Sequence, residues 1–264
     1  MPAPVGCQKR PQAHMTPSPK PDDSSSFDGR FPPPPPAGRE RAFNLPGIVV
    51  AFIVVCAGIH LVRSYLLTVE QDFWVILHFA FIPLRYSGLY ALDVYAFTGP
   101  WSYSLLHGGL AHLAVNMIWL AAFGSPLANR IGTGRFVAFW LVTSLAAVGL
   151  HYVLHMNEAV PLVGASGAIS GMMGAAARFG FQVDRQAPKP SFQGDLLSIP
   201  QVFRSRTVMT FLAVWMVVNF AAGFGSATSD SGSSIAWEAH VGGFLAGFLL
   251  IRLFDRRHLR IYRY

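Results

Sequence analysis

The sequence has few charged residues and few cysteines for its length. Asp, Glu, Lys and Arg make up 12% of its 264 residues, whereas soluble domains carry about 25%. This deficit argues against an ordinary soluble surface and favours a membrane protein. The two cysteines are Cys7, in a proline-rich stretch, and Cys56, in an apolar run. Two such distant residues exclude a disulfide framework and a cysteine-based metal cluster.

Apolar residues are abundant instead, at 52% of the chain, and they form long runs. A transmembrane helix needs about 20 mostly apolar residues. Six segments meet this requirement, at approximately 45–67, 105–125, 135–155, 162–182, 207–226 and 235–254. A shorter apolar stretch at 73–82 lies between charged residues and is typical of an interfacial or re-entrant segment. The pattern predicts an all-α membrane protein built as a bundle of six transmembrane helices.

The composition also divides the chain into three parts. Residues 1–43 contain most of the prolines and almost no aliphatic residues, which predicts a disordered cytoplasmic tail. The membrane domain is predicted at 44–255, and a basic cytoplasmic tail at 256–264. Residues 1–43 lack the order of a signal peptide, so the apolar segment that follows is expected to be retained. The absence of an obvious presequence favours a bacterial inner membrane over an organelle.

The net charge of +7 is explained by membrane topology. If the N-terminus lies inside, nearly all arginines and lysines fall in four inner segments, and only Arg63 and Arg85 lie outside. This asymmetry follows the positive-inside rule for an even number of spans with both termini cytoplasmic. Because the basic residues form no single patch, membrane lipid is an expected partner and nucleic acid is not.

Three of the predicted spans contain polar residues that lipid-facing helices avoid. These are His107, His112 and Asn116 in the second span, Ser166 and Ser170 in the fourth, and Glu238 and His240 in the sixth. In the predicted topology all three spans run from outside to inside, which places these residues at a similar depth below the outer surface. Hydrogen bonding between helices would explain any one of them alone. Their convergence favours a functional site.

Small residues recur at a spacing of four on two of these spans. They are Gly167, Gly171 and Ala175 on the fourth, and Gly243 and Gly247 on the sixth. Such patterns let helix backbones approach closely. Packing alone would explain them, but the same approach would also bring Ser166 within hydrogen-bonding reach of His240.

A serine next to a histidine base can act as a nucleophile. Ser166 is expected at a helix start, after Pro161 and Gly164, where free N–H groups and the helix dipole favour negative charge. His112 and Asn116 lie four residues apart on one helix face and would add donors for an oxyanion. Together these groups predict acyl transfer.

Three motifs carry a resemblance to a known family. They are GASG at 164–167, the H-x4-H-x3-N pattern of His107, His112 and Asn116, and AHVGGFLAG at 239–247. The chain resembles the rhomboid intramembrane serine proteases over about 45–254. The resemblance implies a Ser166–His240 dyad, an oxyanion hole from His112, Asn116 and the Ser166 backbone, and Gly164 beside the catalytic centre. It also implies cleavage of transmembrane protein substrates near the outer face, without a cofactor.

The chain departs from the family pattern at two places. Many members carry an aromatic residue four positions after the nucleophile, where this chain has Ser170, and a Trp-Arg pair of the first external loop is absent at Trp101. Glu238 is two residues from His240, on a different helix face, so it is expected at the outer interface and not in a triad. The segment 226–234 is either a polar turn or a mobile cap. No metal site is expected, because the remaining histidines are scattered along the chain at His60, His78, His151, His155 and His258.

Two other functions fit some of these features. A catalytically inactive rhomboid-like protein would bind or escort membrane proteins, and loss of Ser166 or His240 would favour it, but both are present. A small-solute transporter would also place polar residues inside the membrane. Inverted repeats would favour transport, whereas the motifs of the three polar spans are dissimilar. The oligomeric state is left open.

Overall fold

The computed structural model describes residues 45–227 and 236–255. The predictions of a disordered tail at 1–43 and a basic tail at 256–264 lie outside these residues, as does most of the segment 226–234. The described chain is mostly helical. Its helices are α1 (Gly47–Tyr65), α2 (Val69–Phe79), α3 (Val94–Ser102), α4 (Leu110–Trp119), α5 (Ser125–Ile131), α6 (Thr133–Leu154), α7 (Ser166–Arg178), α8 (Ile199–Arg204), α9 (Arg206–Ala227) and α10 (Trp237–Phe254).

Four helical segments in the described part of the chain are long and apolar enough to cross a membrane. They are Gly47–Tyr65, Leu110–Ile131, Thr133–Leu154 and Trp237–Phe254. Their outward faces are also apolar: Val54 in α1, Ile118 in α4 and Leu253 in α10 are all exposed. Soluble proteins rarely expose such continuous apolar surface. The molecule is therefore an all-α integral membrane protein.

The second predicted span differs from the observed helix at both ends. A 3₁₀ turn at Tyr103–Leu105 precedes α4, which begins at Leu110 and not at 105. A π-helical turn at Leu120–Gly124 then carries the helix into α5, which ends before Gly132, whose φ is +82°. The last residue of α5 is Ile131, and the positive φ of the following residue, which glycine adopts without strain, ends the helix. Because His107 precedes α4, it belongs to the entry loop and not to the helix.

The fourth predicted span is shorter than expected. Helix α7 has 13 residues, or about 20 Å at 1.5 Å per residue, where 162–182 was predicted. Gly164 before it and Gly180 and Phe181 after it all have positive φ, which ends the helix on both sides. Every residue from Gly167 to Arg178 is buried. Helix α7 is thus a central element surrounded by other helices.

Glycines let α7 and α10 run side by side in the same direction. A Cβ added to Gly243 would overlap the carbonyl oxygen of Gly167, and one added to Gly247 would overlap that of Gly171. Helix α6 packs antiparallel on the other side, where a Cβ on Gly242 would lie 2.7 Å from the Ala146 oxygen. The N-terminal ends of α7 and α10 therefore meet at the C-terminal end of α6.

The opposite end of the bundle is closed by charged and aromatic groups. Strands β1 (Val183–Asp184) and β2 (Ser191–Phe192) form a short antiparallel hairpin. Arg130 of α5 reaches Asp255 after α10, with Nη2 to Oδ2 at 2.7 Å, and donates to the carbonyl of Phe192. Between the two ends lies an apolar core that includes Leu120, Phe136, Trp140, Ile169, Met172 and Ile251.

Candidate active site

Ser166 and His240 form a hydrogen bond at the meeting point of α7 and α10. Ser166 is the first residue of α7, and His240 lies in the first turn of α10. The distance from Ser166 Oγ to His240 Nε2 is 2.8 Å, within the range for proton transfer to a general base. The glycine contacts between the two helices bring these residues together, although 74 positions separate them in the chain.

Asn219 of α9 orients the histidine ring. Its Oδ1 lies 2.5 Å from His240 Nδ1, and its Nδ2 donates to the carbonyl oxygen of Trp237 at 3.1 Å. The second bond sets the orientation of the amide, because a carbonyl oxygen only accepts. Nδ1 must then carry the proton, which leaves the lone pair of Nε2 directed at Ser166 Oγ.

Asn219 was missed in the sequence. It interrupts the apolar run 211–220, and a polar residue inside a membrane helix is a signal of function. The signal was present, but no helical spacing links α9 to the motifs on the other helices.

Gly164 lies between His112 and Ser166, where a side chain would not fit. A Cβ at this position would lie 2.8 Å from His112 Nε2 and 3.5 Å from Ser166 Oγ. The residue has a φ of +128°, which side chains rarely adopt. Its N–H donates to the carbonyl of Tyr103 at 3.0 Å, which holds the segment in place. Gly164 therefore lies directly between the His112 ring and the Ser166 hydroxyl, and any side chain at this position would collide with the histidine.

Asn116 adds a second donor on the same face of α4. It follows His112 by one helical turn and is 4% exposed. Its Nδ2 has no hydrogen-bond partner within the described residues. A buried donor without a partner costs free energy, so this amide is poised to bind a group that the fold itself does not supply.

His107 lies in the loop before α4 and supports His112. The two rings meet edge to face with centroids 5.2 Å apart. The His107 carbonyl accepts from Arg63 Nη1 at 3.0 Å, and Arg63 also pairs with Asp72 at 2.6 Å. These contacts attach the loop to the end of α1 and to α2.

The burial of Glu238 between α10 and α6 was not expected from the sequence, and its predicted depth near the outer face stays a prediction. Glu238 is 3% exposed, and its Oε1 lies 2.7 Å from His151 Nδ1 and 3.2 Å from His155 Nε2. Because Glu238 lies two residues before His240, its side chain points to another face of α10, as predicted. Helix α6 covers that face. The description of His151 and His155 as scattered is wrong for the same reason, because one turn of α6 brings both onto this carboxylate.

The remaining small and polar residues of the motifs lie in the same contact region. Gly167, Gly243 and Gly247 form the close contact of α7 with α10. Ser170 is buried in α7, one turn after Ser166. The site thus contains the Ser166–His240 pair, two possible donors on α4, the backbone of Gly164 and Asn219 of α9.

Comparison with known proteins gives a consistent set of relatives. The family model described as Rhomboid domain matches residues 96–257, more than half of the chain. RHOMBOID-like protein 5 of Arabidopsis thaliana is 30% identical over 55% of this chain and 40% of its own length. Rhomboid protease GluP of Bacillus subtilis is 31% identical over 54% of this chain and 23% of its own. Rhomboid protease GlpG of Serratia proteamaculans is 29% identical over 60% of this chain and 48% of its own. The matched region spans less than half the length of each of these curated relatives.

Proposed function

The chain belongs to the rhomboid family, and we propose that it is a serine endopeptidase that cleaves transmembrane proteins inside the membrane. One observation carries the proposal: the 2.8 Å hydrogen bond between Ser166 Oγ and His240 Nε2, at the N-terminal ends of α7 and α10. Two of the relatives are named as rhomboid proteases, which supports the reaction class.

In the proposed reaction, His240 Nε2 takes the proton of Ser166 as Oγ attacks the carbonyl carbon of a substrate peptide bond. Asn219 accepts from Nδ1–H throughout this step. It keeps the ring in the orientation and tautomer that the transfer needs, so we assign it as a positioning residue. As a neutral amide, it stabilises the imidazolium less than a carboxylate would.

The tetrahedral intermediate places negative charge on the former carbonyl oxygen. His112 Nε2 and Ser166 Oγ lie on either side of Gly164. One turn further along α4 is Asn116, whose Nδ2 has no hydrogen-bond partner within the described residues. We assign these two groups, with the backbone N–H of Ser166, as the oxyanion donors. Donors of this kind act strongly because they are aligned before the charge develops.

The intermediate then breaks the C–N bond, and His240 returns the proton to the leaving amine. The acyl group remains on Ser166 Oγ until water, deprotonated by His240, attacks the ester. This second half releases the new carboxylate and restores the serine. No group other than the chain and water is needed for these steps, so no cofactor is proposed.

The proposed topology has six spans with both termini on the cytoplasmic side. Helix α9 is apolar over Arg206–Ala221, and α7 is buried within the bundle, so these two would join the four longer segments. The distribution of arginines supports this orientation. It would place Ser166 and His240 near the outer face, where water can enter. The relatives come from bacteria and a plant, so the bacterial inner membrane stays a prediction.

The decisive experiment measures nucleophile reactivity and cleavage separately. Purified protein in detergent is treated with a fluorescent fluorophosphonate, which labels activated serines without needing the correct substrate, and a tagged model transmembrane substrate is tested in parallel. We expect labelling and cleavage in the parent and neither in Ser166→Ala or His240→Ala.

Ser170→Ala serves as the matched control, because it removes a hydroxyl one turn away on the same buried helix. It should retain labelling and cleavage. Labelling of the parent that persists in Ser166→Ala would contradict the assigned nucleophile. A folded parent that neither labels nor cleaves would support the inactive, membrane-protein-binding alternative.

A further inference from the structure

His151, His155 and Glu238 form a cluster of potential metal ligands that the proposed reaction does not use. One ligand atom from each residue lies within 4.8 Å of the others: His151 Nδ1, His155 Nε2 and Glu238 Oε1. Tetrahedral Zn²⁺ with bonds of about 2.0–2.1 Å places its ligand atoms about 3.4 Å apart. The three atoms can therefore surround one ion after small side-chain adjustments.

The two histidines reach the cluster from one face of α6. They lie four positions apart at the end of the helix, a spacing that directs both rings to the same side. The rings stack with centroids 4.8 Å apart. Glu238 comes from the first turn of α10, so the cluster joins two helices that are far apart in sequence.

A second carboxylate orients His155. Glu158 Oε1 lies 2.8 Å from His155 Nδ1, so that Nδ1 carries the proton and Nε2 keeps its lone pair for the cluster. The loop is held by backbone bonds from Glu158 N–H to the His155 carbonyl and from Leu84 N–H to the Glu158 carbonyl. A carboxylate behind a ligating histidine is a recurring feature of metal sites.

The buried charge of Glu238 and the partial exposure of His155 also favour the binding of a cation. The side chain of Glu238 is 4% exposed, and a buried carboxylate needs a compensating positive charge. Within the described residues, Glu238 forms ion pairs with His151 and His155 but with no lysine or arginine, so its charge is compensated only when a histidine is protonated. The side chain of His155 is 28% exposed, which gives an ion a route from solvent.

We propose that His151, His155 and Glu238 bind one divalent transition-metal ion of the Zn²⁺ class, with Glu158 as the supporting carboxylate. Two imidazoles and one carboxylate are ligands that such ions accept, and a fourth position would be left for water. The ion would tie the end of α6 to the first turn of α10. The site does not depend on the proposed protease activity, and it revises the expectation that the chain has no metal site.

The test measures metal binding directly. Protein without a histidine tag is treated with EDTA in detergent, freed of the chelator and titrated with Co²⁺, whose visible absorption reports tetrahedral ligands, and then with Zn²⁺ as competitor. We expect one equivalent to bind and the thermal unfolding temperature to rise. Glu158→Gln should weaken binding about 10-fold to 100-fold, as loss of a supporting carboxylate does.

His155→Ala is the deciding variant, because this residue is partly exposed at a helix end and its removal should leave the fold intact. It should lose at least about 10-fold in affinity, while His78→Ala, the same change on α2, should bind like the parent. Unfolding temperatures in EDTA check that both variants are folded. Failure of the parent to bind either ion, or equal binding by His155→Ala, would overturn the proposal.

Discussion

The two ends of α10 differ in how completely the buried polar groups around them are paired. At its C-terminal end, Asp255 pairs with Arg130 through two contacts of 3.1 and 2.7 Å, and the same guanidinium donates to the carbonyls of Phe192 and Gly194. At its N-terminal end, His240 contacts Ser166 and Asn219, but Asn116 of α4 has a buried donor without a hydrogen-bond partner among the described residues.

We interpret the fully paired groups as contributing to stability and the unpaired donor as contributing to function. A buried charge is tolerated only when it is paired and hydrogen-bonded, and the Arg130 end meets this requirement. An unpartnered donor costs free energy, and beside a candidate active site it is available to a bound group. Substitution of Asp255 should therefore lower stability, and substitution of Asn116 should lower activity.

The largest effect is expected from Ser166→Ala. Its cleavage rate should fall by about 10⁴-fold or more, because the nucleophile is removed, while unfolding changes by about 1 kcal/mol at most through one lost hydrogen bond. Cleavage assays and thermal unfolding in detergent measure the two quantities. A large loss of stability in this variant would break the proposed separation.

Asp255→Ala should have the opposite result. It leaves the Arg130 guanidinium buried without its carboxylate, which costs about 3–5 kcal/mol of stability. Cleavage per folded molecule, measured below the unfolding temperature, should be unchanged. Asp195→Ala is the control, because Asp195 is exposed near the same hairpin and its loss should change neither quantity. Unaltered stability of Asp255→Ala would contradict the role assigned to the ion pair.

Asn116→Ala should lower kcat by about 10²–10³-fold, the usual cost of losing one oxyanion donor. Stability should stay equal or rise, because the amide nitrogen that is removed has no hydrogen-bond partner among the described residues. Asn129→Ala provides the contrast: its Nδ2 donates to the Pro190 carbonyl at 2.8 Å, so its loss should lower the unfolding temperature and leave kcat unchanged. If Asn116→Ala keeps full activity, the oxyanion assignment fails.

The smallest effect is expected from Asn219→Ala, with kcat reduced about 10-fold, or about 1.4 kcal/mol. His240 then loses the acceptor at Nδ1, while substrate contacts remain, so KM should not change. Asn219→Asp restores an acceptor and should recover most of the rate. Steady-state kinetics of the parent and the two variants distinguish a positioning role from a structural one. Unfolding temperatures check that the variants are folded. Equal loss in both variants would argue against positioning through the hydrogen bond.

Much of the site could be anticipated from local patterns. The last helix was predicted at 235–254 and is observed at Trp237–Phe254, because a continuous apolar run defines a membrane helix. His112 and Asn116 lie on one face of α4 because a spacing of four does so in any α-helix. The glycine pattern of spans four and six indicated the close contact that α7 and α10 make.

Features that depend on contacts between distant segments were not anticipated. Asn219 reaches His240 only because α9 lies against α10, and the carboxylate of Glu238 is buried only because α6 covers that face. The length of α7 was overestimated because hydropathy does not register the positive φ of Gly164 and Gly180. Hydropathy measures the solvent preference of a segment, not where its backbone turns.

Periodicity and composition were thus sufficient for the membrane class and for most of the helices, and the polar residues of the spans marked Ser166 and His240 as candidates. These properties depend on residues close together in the chain, and short-range geometry is the same in every helix. The 2.8 Å contact between Ser166 and His240, the Asn219 tether and the His151–His155–Glu238 cluster depend on how whole helices pack. Helix packing is a sum of many weak contacts between distant residues, so these arrangements emerge only from the folded molecule.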